Sequence, residues 1–204
     1  MTMAHARAVT LCLLLAGMGG APALPAQGSW GLATELGMAF FSSAAVDSGG
    51  RSFHPDGRTT SCLRLERRFA AGRAGVGLAL LYAPGGIALT SGDVTATQAG
   101  VLDLYGIAPE LSWRLVATAR GSSLVAHAGP VVEIWSVSGE GDRTRVGGRG
   151  ALSLEWPITG RLSGQVRAGV TLTGSPFDAA ELPAGFEPRA LWRRSVALAL
   201  RYRL

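Results

Sequence analysis

The last thirteen residues, Trp192-Arg-Arg-Ser-Val-Ala-Leu-Ala-Leu-Arg-Tyr-Arg-Leu204, carry apolar and small or cationic side chains in alternation. The apolar set falls on even positions, at Trp192, Val196, Leu198, Leu200, Tyr202 and Leu204. A period of two is typical of a β-strand with two unlike faces. The chain therefore ends in a strand with one apolar face, and no polar segment follows it.

This terminal strand has the features that a strand needs to cross a lipid bilayer. Its apolar face is about ten residues long, with aromatic residues towards both ends. The residues resemble the C-terminal signal strand of bacterial outer-membrane β-barrels, which the barrel-assembly machinery recognises. That family usually ends in Phe or Trp, so Leu204 departs from the pattern and Tyr202 is the nearest aromatic. The resemblance implies that this strand closes a barrel against a first strand, Trp30 to Phe40.

Composition limits the alternatives. A chain of 204 residues has room for one domain. After the N-terminal segment, no apolar run reaches the roughly 20 residues that a transmembrane helix requires. The 29 glycines suit a tightly curved sheet better than a helical protein. The net charge is +5 and every basic side chain is Arg, but the arginines are scattered at strand spacing, so nucleic-acid binding is not predicted.

The N-terminus has the pattern of a secretory signal peptide. A short polar region with His5 and Arg7 precedes an apolar run and a segment of small residues. Residues 1–26 are predicted to be removed, with cleavage after Ala23 or Ala26, which leaves residues 27–204 as the barrel domain. Cys62 is then the one remaining cysteine, so no internal disulfide is expected.

Alternation along the rest of the chain predicts eight strands. The first and last are described above, and the others are centred on Leu63–Phe69, Val76–Tyr82, Tyr105–Trp113, Leu124–Ile134, Leu152–Trp156 and Leu162–Leu172. Leu102 and Leu104 lie on the opposite phase to Tyr105, which indicates either a bulge near Gly106 or a late strand start. Four long polar loops are predicted, at 43–58, 84–97, 138–145 and 175–190, with short turns between the remaining strand ends.

Long loops at one end and short turns at the other are typical of outer-membrane barrels. The pattern over the whole mature chain resembles the small eight-stranded barrels, such as the transmembrane domain of outer membrane protein A and its OmpX-like and OmpW-like relatives. The resemblance implies an antiparallel up-and-down barrel in the bacterial outer membrane, with the long loops outside and both termini in the periplasm.

A soluble eight-stranded barrel of lipocalin type is the main alternative fold. Its apolar face would point inward, so its other face would need many charged and long polar side chains to meet water. The other face of these strands is mostly Gly, Ala and Ser with few ionic residues. That composition suits a narrow lumen and favours the membrane barrel.

The ionic residues on this second face are predicted to line the lumen as a structural ion-pair network. Isolated charges there would be costly, whereas Arg and Glu from neighbouring strands can pair. The predicted set is Glu35, Arg64, Glu66, Arg68, Glu110, Arg114, Glu133, Arg149, Glu155, Arg167 and Arg201.

No catalytic, cofactor or metal site is predicted. His127 faces the same way as the ionic set, but outer-membrane lipid A deacylases place a nucleophilic Ser two residues after such a His, and this chain has Gly129 there. His54 lies near Asp56 in a loop without the further ligands that a metal would need.

The leading functional hypothesis is a non-enzymatic structural or surface-interaction protein that acts through its four external loops. A narrow conduit for small apolar compounds, as in OmpW-like proteins, is the first alternative, and an apolar upper lumen or a lateral opening would favour it. A lipid-modifying enzyme is the second, and a Ser within hydrogen-bond reach of His127 would favour that. The expected partners are outer-membrane lipid, lipopolysaccharide and the barrel-assembly machinery, and the barrel is expected to be a monomer.

Overall fold

A computed structural model describes residues 29–57, 59–69, 73–139 and 141–204 of the protein. The predicted signal peptide, residues 1–26, lies outside the described residues. The regular structure in the described residues consists of eleven strands: β1 Ser29–Phe41, β2 Ala45–Asp47, β3 Ser52–Asp56, β4 Thr59–Arg68, β5 Ala74–Ser91, β6 Val94–Ala117, β7 Ser123–Val137, β8 Arg143–Pro157, β9 Leu162–Thr173, β10 Phe186–Pro188 and β11 Leu191–Arg203.

Eight of these strands form a closed antiparallel barrel. The long strands pair with their neighbours in the order β1, β4, β5, β6, β7, β8, β9 and β11, and β11 pairs again with β1. The closing pair runs from Gly31 opposite Arg203 to Phe41 opposite Arg193. The predicted closure of the terminal strand on the first strand is therefore confirmed.

The two ends of the barrel differ, and we name them by their connections. At the turn end, where Ser29 and Arg203 lie, β4 leads to β5, β6 to β7 and β8 to β9 through connections of four or five residues. At the loop end, the connections between β1 and β4 and between β9 and β11 are long.

The outer face is an apolar band. On β1 it runs from Trp30 to Phe40, ten steps that correspond to about 25 Å across a bilayer for a strand tilted by roughly 40°. Exposed aromatic residues border this band at both ends: Trp30, Trp113, Trp156 and Tyr202 towards the turn end, and Phe40, Tyr82, Tyr105 and Trp192 towards the loop end. Such aromatic girdles are typical of membrane-spanning barrels. No helix in the described ranges is long and apolar enough to span a membrane.

The loop end has more regular structure than the sequence predicts. The predicted polar loops 43–58 and 175–190 contain the short strands β2, β3 and β10, and these pair with one another or with β5. Arg143 also holds the segment 175–190 in place, since its Nη2 lies 2.7 Å from Oε2 of Glu181. We call this small sheet and the loops around it the crown.

The prediction of a polar loop over residues 84–97 was wrong. Here β5 and β6 continue beyond the barrel as a two-stranded ribbon that turns at Gly92 and Asp93, between the paired residues Ser91 and Val94. Gly92 has a φ of +57°, and a two-residue turn of this kind matches the twist of the strands. The many small and polar residues of the ribbon concealed the strand pattern.

Both alternatives for Leu102 and Leu104, a bulge near Gly106 and a late strand start, were wrong, because β6 begins at Val94 and pairs regularly around Gly106. The irregularity in β6 lies at Gly100 and Val101, which interrupt the pairing with β5, and alternation is unbroken from there to Glu110. Leu102 and Leu104 are out of phase with Tyr105 because they face the lumen, where both are almost completely buried. Large apolar side chains were expected to face lipid, and that expectation led to the error.

Candidate functional site

Glu110 on β6 is the centre of a buried ion cluster in the middle of the lumen. Its Oε1 lies 2.6 Å from Nη2 of Arg167 and 3.1 Å from Nε of Arg149. Its Oε2 lies 3.3 Å from Nε of Arg64, which also contacts Glu35. One carboxylate is thus shared by three arginines from three other strands, and together they fill the centre of the barrel.

A second ion cluster lies towards the turn end. Arg68 contacts both Glu155 and Glu66, and Arg201 from the terminal strand contacts Glu66 as well. Nε2 of Gln165 donates to Glu155 at 3.0 Å. Each carboxylate in this cluster therefore has at least one guanidinium partner.

A third, simpler pair lies towards the loop end. Nη2 of Arg193 donates to Oε1 of Glu133 at 2.7 Å, and the Thr173 hydroxyl donates to the other oxygen at 3.0 Å. Arg193 was missing from the predicted ionic set. Its alternation with Trp192 placed it on the inner face, so the sequence did contain the signal.

The lumen becomes apolar beyond this pair, and we call the apolar part the cap. Trp135, Leu102, Leu104 and Leu191 are each at most 2% exposed, and Phe177 from the long connection after β9 covers them. Phe41 packs edge-on against Trp135, with 5.9 Å between the ring centroids. The described side chains thus fill the lumen from the central ion cluster to the loop end.

All eleven residues of the predicted ionic set belong to the barrel strands, and they lie on the strand face that lines the lumen. Ten of them take part in the ion pairs described above. Arg114 is different, because it forms no ion pair with any described residue and its Nε is buried without an acceptor. It lies at the turn end of β6, beside a cavity.

His127 does have a serine within hydrogen-bond reach, an arrangement that would favour an enzyme. Its Nε2 is hydrogen-bonded to Oγ of Ser153 on β8 at 2.9 Å, and its Nδ1 lies 3.9 Å from Oε2 of Glu110. Ser, His and Glu in this order suggest a nucleophile, a base and an orienting acid. However, Ser153 is completely buried and His127 is 4% exposed, so a substrate has no access to the hydroxyl oxygen. Here the three residues form a buried polar network.

The second histidine considered in the sequence, His54, is held by neighbouring polar groups. Its ring nitrogens lie 3.2 Å from the carbonyl of Pro55 and 3.2 Å from the hydroxyl of Thr90, which joins β3 to the ribbon. Within the described part of the chain, no group of three or more His, Cys, Asp or Glu residues is arranged to hold a metal ion.

A closed eight-stranded antiparallel barrel with an apolar outer band and a lumen full of ion pairs defines a class of protein, the small bacterial outer-membrane β-barrels. By its fold the chain is an outer-membrane barrel, as the sequence predicts.

Solved structures agree with this class. The structure is similar to that of Neisserial surface protein A, with a TM-score of 0.55 and 12% identity over 87% of this chain and 99% of that one. It is also similar to the outer membrane protein OprG from Pseudomonas aeruginosa, with a TM-score of 0.50 and 10% identity over 87% of this chain and 96% of that one. No protein-family profile matches the sequence, and no curated protein matches it either. At these identities the similarity defines the fold alone.

Proposed function

We propose that this barrel is a closed, non-enzymatic surface protein whose role is carried by its crown. The observation that supports this most is the filled lumen. Glu110 with its three arginines occupies the centre, and the cap occupies the loop end. An eight-stranded barrel has an interior just wide enough for such side chains, which leaves the external surface to make specific contacts.

The crown is suited to binding because it is ordered and charged. The β5–β6 ribbon projects beyond the barrel, and its residues 91–100 are all exposed. β3 pairs with this ribbon from Ser52 opposite Thr90 to Asp56 opposite Gly86, which stiffens it. All six aspartates of the chain, residues 47, 56, 93, 103, 142 and 178, lie in the loop-end half. Arg51 and Arg145 neutralise Asp47 and Asp178, whereas Asp93 and Glu187 are exposed and form no ion pair with a described residue, so the crown favours a partner with a basic surface.

A conduit for small apolar compounds is the second candidate. The cap is an apolar upper lumen, which is a feature that favours a conduit. A cavity of about 130 Å³ also lies beside the cap, lined partly by Phe53, Ile87, Val137 and Phe177. The Glu133–Arg193 pair lies beneath the cap, so transport would require this pair to separate.

Conductance and labelling test the proposal. The purified protein in planar bilayers should show no long-lived, uniform channels, and such channels would make the conduit the better hypothesis. An epitope inserted after Gly49 should be labelled on intact cells, and one inserted after Gly160 should not. The reverse labelling pattern would place the crown in the periplasm and contradict a surface role.

A hydrolase assay separates the remaining alternative. The barrel should not release fatty acid from phospholipid or lipid A. If it does, Ser153→Ala should be tested, because loss of that activity in a variant that still folds would assign the buried Ser153–His127 pair a catalytic role and overturn the non-enzymatic proposal.

A further inference from the structure

A cavity of about 360 Å³ opens at the turn end of the lumen, and we call it the vestibule. Its walls contain one carboxylate, that of Glu155, and five arginines: Arg68, Arg114, Arg161, Arg201 and Arg203. Glu66 contacts Arg68 and Arg201. Even when Glu66 is included, five guanidinium groups are opposed by two carboxylates, so the vestibule has an excess of positive charge.

Three of these arginines have no anionic partner among the described residues. Arg203 donates to the carbonyl of Gly160 at 2.5 Å, and Arg161 lies 3.4 Å from the hydroxyl of Tyr202. Both acceptors are neutral. Nε of Arg114 is buried with no acceptor, and so is Nη2 of Arg201, a residue only 7% exposed. Buried donors without acceptors are costly, and an anion in the vestibule would be a natural acceptor for such groups.

The surroundings of the vestibule add positive charge. The three short connections at the turn end each contain an arginine, at Arg73, Arg120 and Arg161, and none of them contains Asp or Glu. The acidic crown is at the opposite end of the barrel. The electrostatic potential at the turn end therefore attracts anions from the aqueous phase and from the membrane surface.

We propose that the vestibule binds a phosphate group, either of a phospholipid headgroup or of a soluble phosphate ester. Guanidinium groups match the geometry of phosphate oxygens and can bind them through two parallel hydrogen bonds. Trp156, Pro157 and Leu162 line the same cavity and provide an apolar wall for the glycerol or acyl part of a lipid. A volume of this size is also within the range of small-ligand pockets.

Calorimetric titration of the folded barrel in neutral detergent tests this site. The two probes are inorganic phosphate and dihexanoyl phosphatidylglycerol, and dihexanoylglycerol without a phosphate is the blank. Arg114→Gln should weaken binding at least about ten-fold, because it removes a charged donor that has no other acceptor. The matched control is Arg120→Gln. It removes the same charge from the connection that follows β6, at an exposed position outside the vestibule.

Each outcome decides the proposal. Binding of inorganic phosphate that responds to Arg114→Gln and not to Arg120→Gln supports a soluble phosphate ester. Binding of the short-chain lipid alone, with the same dependence, supports a lipid headgroup. Absence of binding by both probes overturns the proposal, and so does an equal effect of both variants, which would indicate diffuse attraction to a cationic rim. Arg161→Gln provides a second vestibule variant if Arg114→Gln does not fold, as judged by heat-modifiable migration.

Discussion

Two pairs of neighbouring barrel strands differ in how regularly they are hydrogen-bonded, and we call the line along which two strands pair a seam. The β1–β11 seam joins the two ends of the chain and is continuous over eleven residue pairs, from Gly31 opposite Arg203 to Phe41 opposite Arg193. The β6–β7 seam joins strands that are neighbours in sequence, yet its pairing is interrupted at residues 108–110 of β6 and 129–131 of β7. It is irregular again between Arg114 and Val116.

Two prolines explain the interruption in β6–β7. The pairs on either side, Ile107 with Val132 and Leu111 with Ala128, place Pro109 directly opposite Pro130. Proline has no N–H group, so this position loses the two ladder hydrogen bonds that a residue pair exchanges. Both prolines are exposed on the outer face, where hydrocarbon offers no replacement donors.

The difference shows where a membrane barrel tolerates a defect. Pairing resumes on both sides of the prolines, so flanking strand pairs keep the β6–β7 seam together. The closing seam has no covalent turn at the end where Ser29 and Arg203 lie, and a gap there would leave two free strand edges in lipid. The predictions that follow disrupt the closing seam first, then two ion pairs of the lumen, and last the interrupted seam.

Deletion of residues 198–204 should have the largest effect. It removes the β11 partners of β1 from Gly31 to Leu36 and leaves the edge of β1 unpaired in the membrane. We expect complete loss of heat-modifiable migration on gels and of outer-membrane insertion. Leu204→Phe is the control, because it restores the more usual terminal aromatic residue and should insert normally. A deletion protein that still migrated as a folded barrel would show that β11 is not essential for closure.

Arg193→Ala should have the next largest effect, because it breaks the ion pair that connects β11 to β7. Glu133 would keep one hydroxyl donor, from Thr173, and its buried charge would lack a partner. The expected loss is about 3 to 5 kcal/mol of unfolding free energy in a urea titration. Combining the variant with Glu133→Gln should recover part of this loss.

Arg167→Ala is the matched comparison for Arg193→Ala. Glu110 would keep Arg64 and Arg149 as partners, so this variant should be clearly less destabilising. Equal losses in the two variants would mean that the number of arginines around a carboxylate does not control the cost.

The contrast between these two arginines also shows what the sequence could and could not predict. Alternation alone identified the eight barrel strands and the faces of Arg64, Glu110 and Arg167, since a period of two fixes which side chains share a face. It could not identify pairing partners, because these come from strands far apart in sequence, as in Glu110 with Arg167. Partner choice depends on the stagger of strands around the barrel, which alternation does not encode.

The cap was missed for a different reason. Leu102 and Trp135 lie on the inner face of their strands, whereas the predicted lumen consisted of small residues and ion pairs. The sequence did contain a signal for the cap, because several strands carry apolar residues on their inner face towards the loop end. The pairing of β2, β3 and β10 had no comparable signal, because three to five residues are too few to show a period.

Gly129→Ala should destabilise the interrupted seam by an intermediate amount. A Cβ at this position would lie 2.0 Å from the carbonyl oxygen of Pro109, so the two strands would have to separate. We expect a loss of about 1 to 3 kcal/mol, measured by chemical unfolding in detergent micelles. Gly148→Ala is the control, because a Cβ there meets no atom within 4 Å. Equal stability of the two variants would show that β6 and β7 are not in close contact at Gly129.

Replacing both Pro109 and Pro130 by Ala should have the smallest effect and the opposite sign. The substitution supplies two N–H groups, and each restored hydrogen bond contributes about 0.5 to 1.5 kcal/mol. Loss of the two rigid rings increases the entropy of the unfolded chain. This effect offsets about 0.4 to 1 kcal/mol of the hydrogen-bond gain at each position. The midpoints of these ranges give a net gain of about 0.6 kcal/mol, so amide hydrogen exchange is the more sensitive measurement. Slower exchange in the double variant at the neighbouring residues Ile107 and Val132 is expected. Unchanged exchange there would mean that something other than the missing N–H groups keeps the seam open.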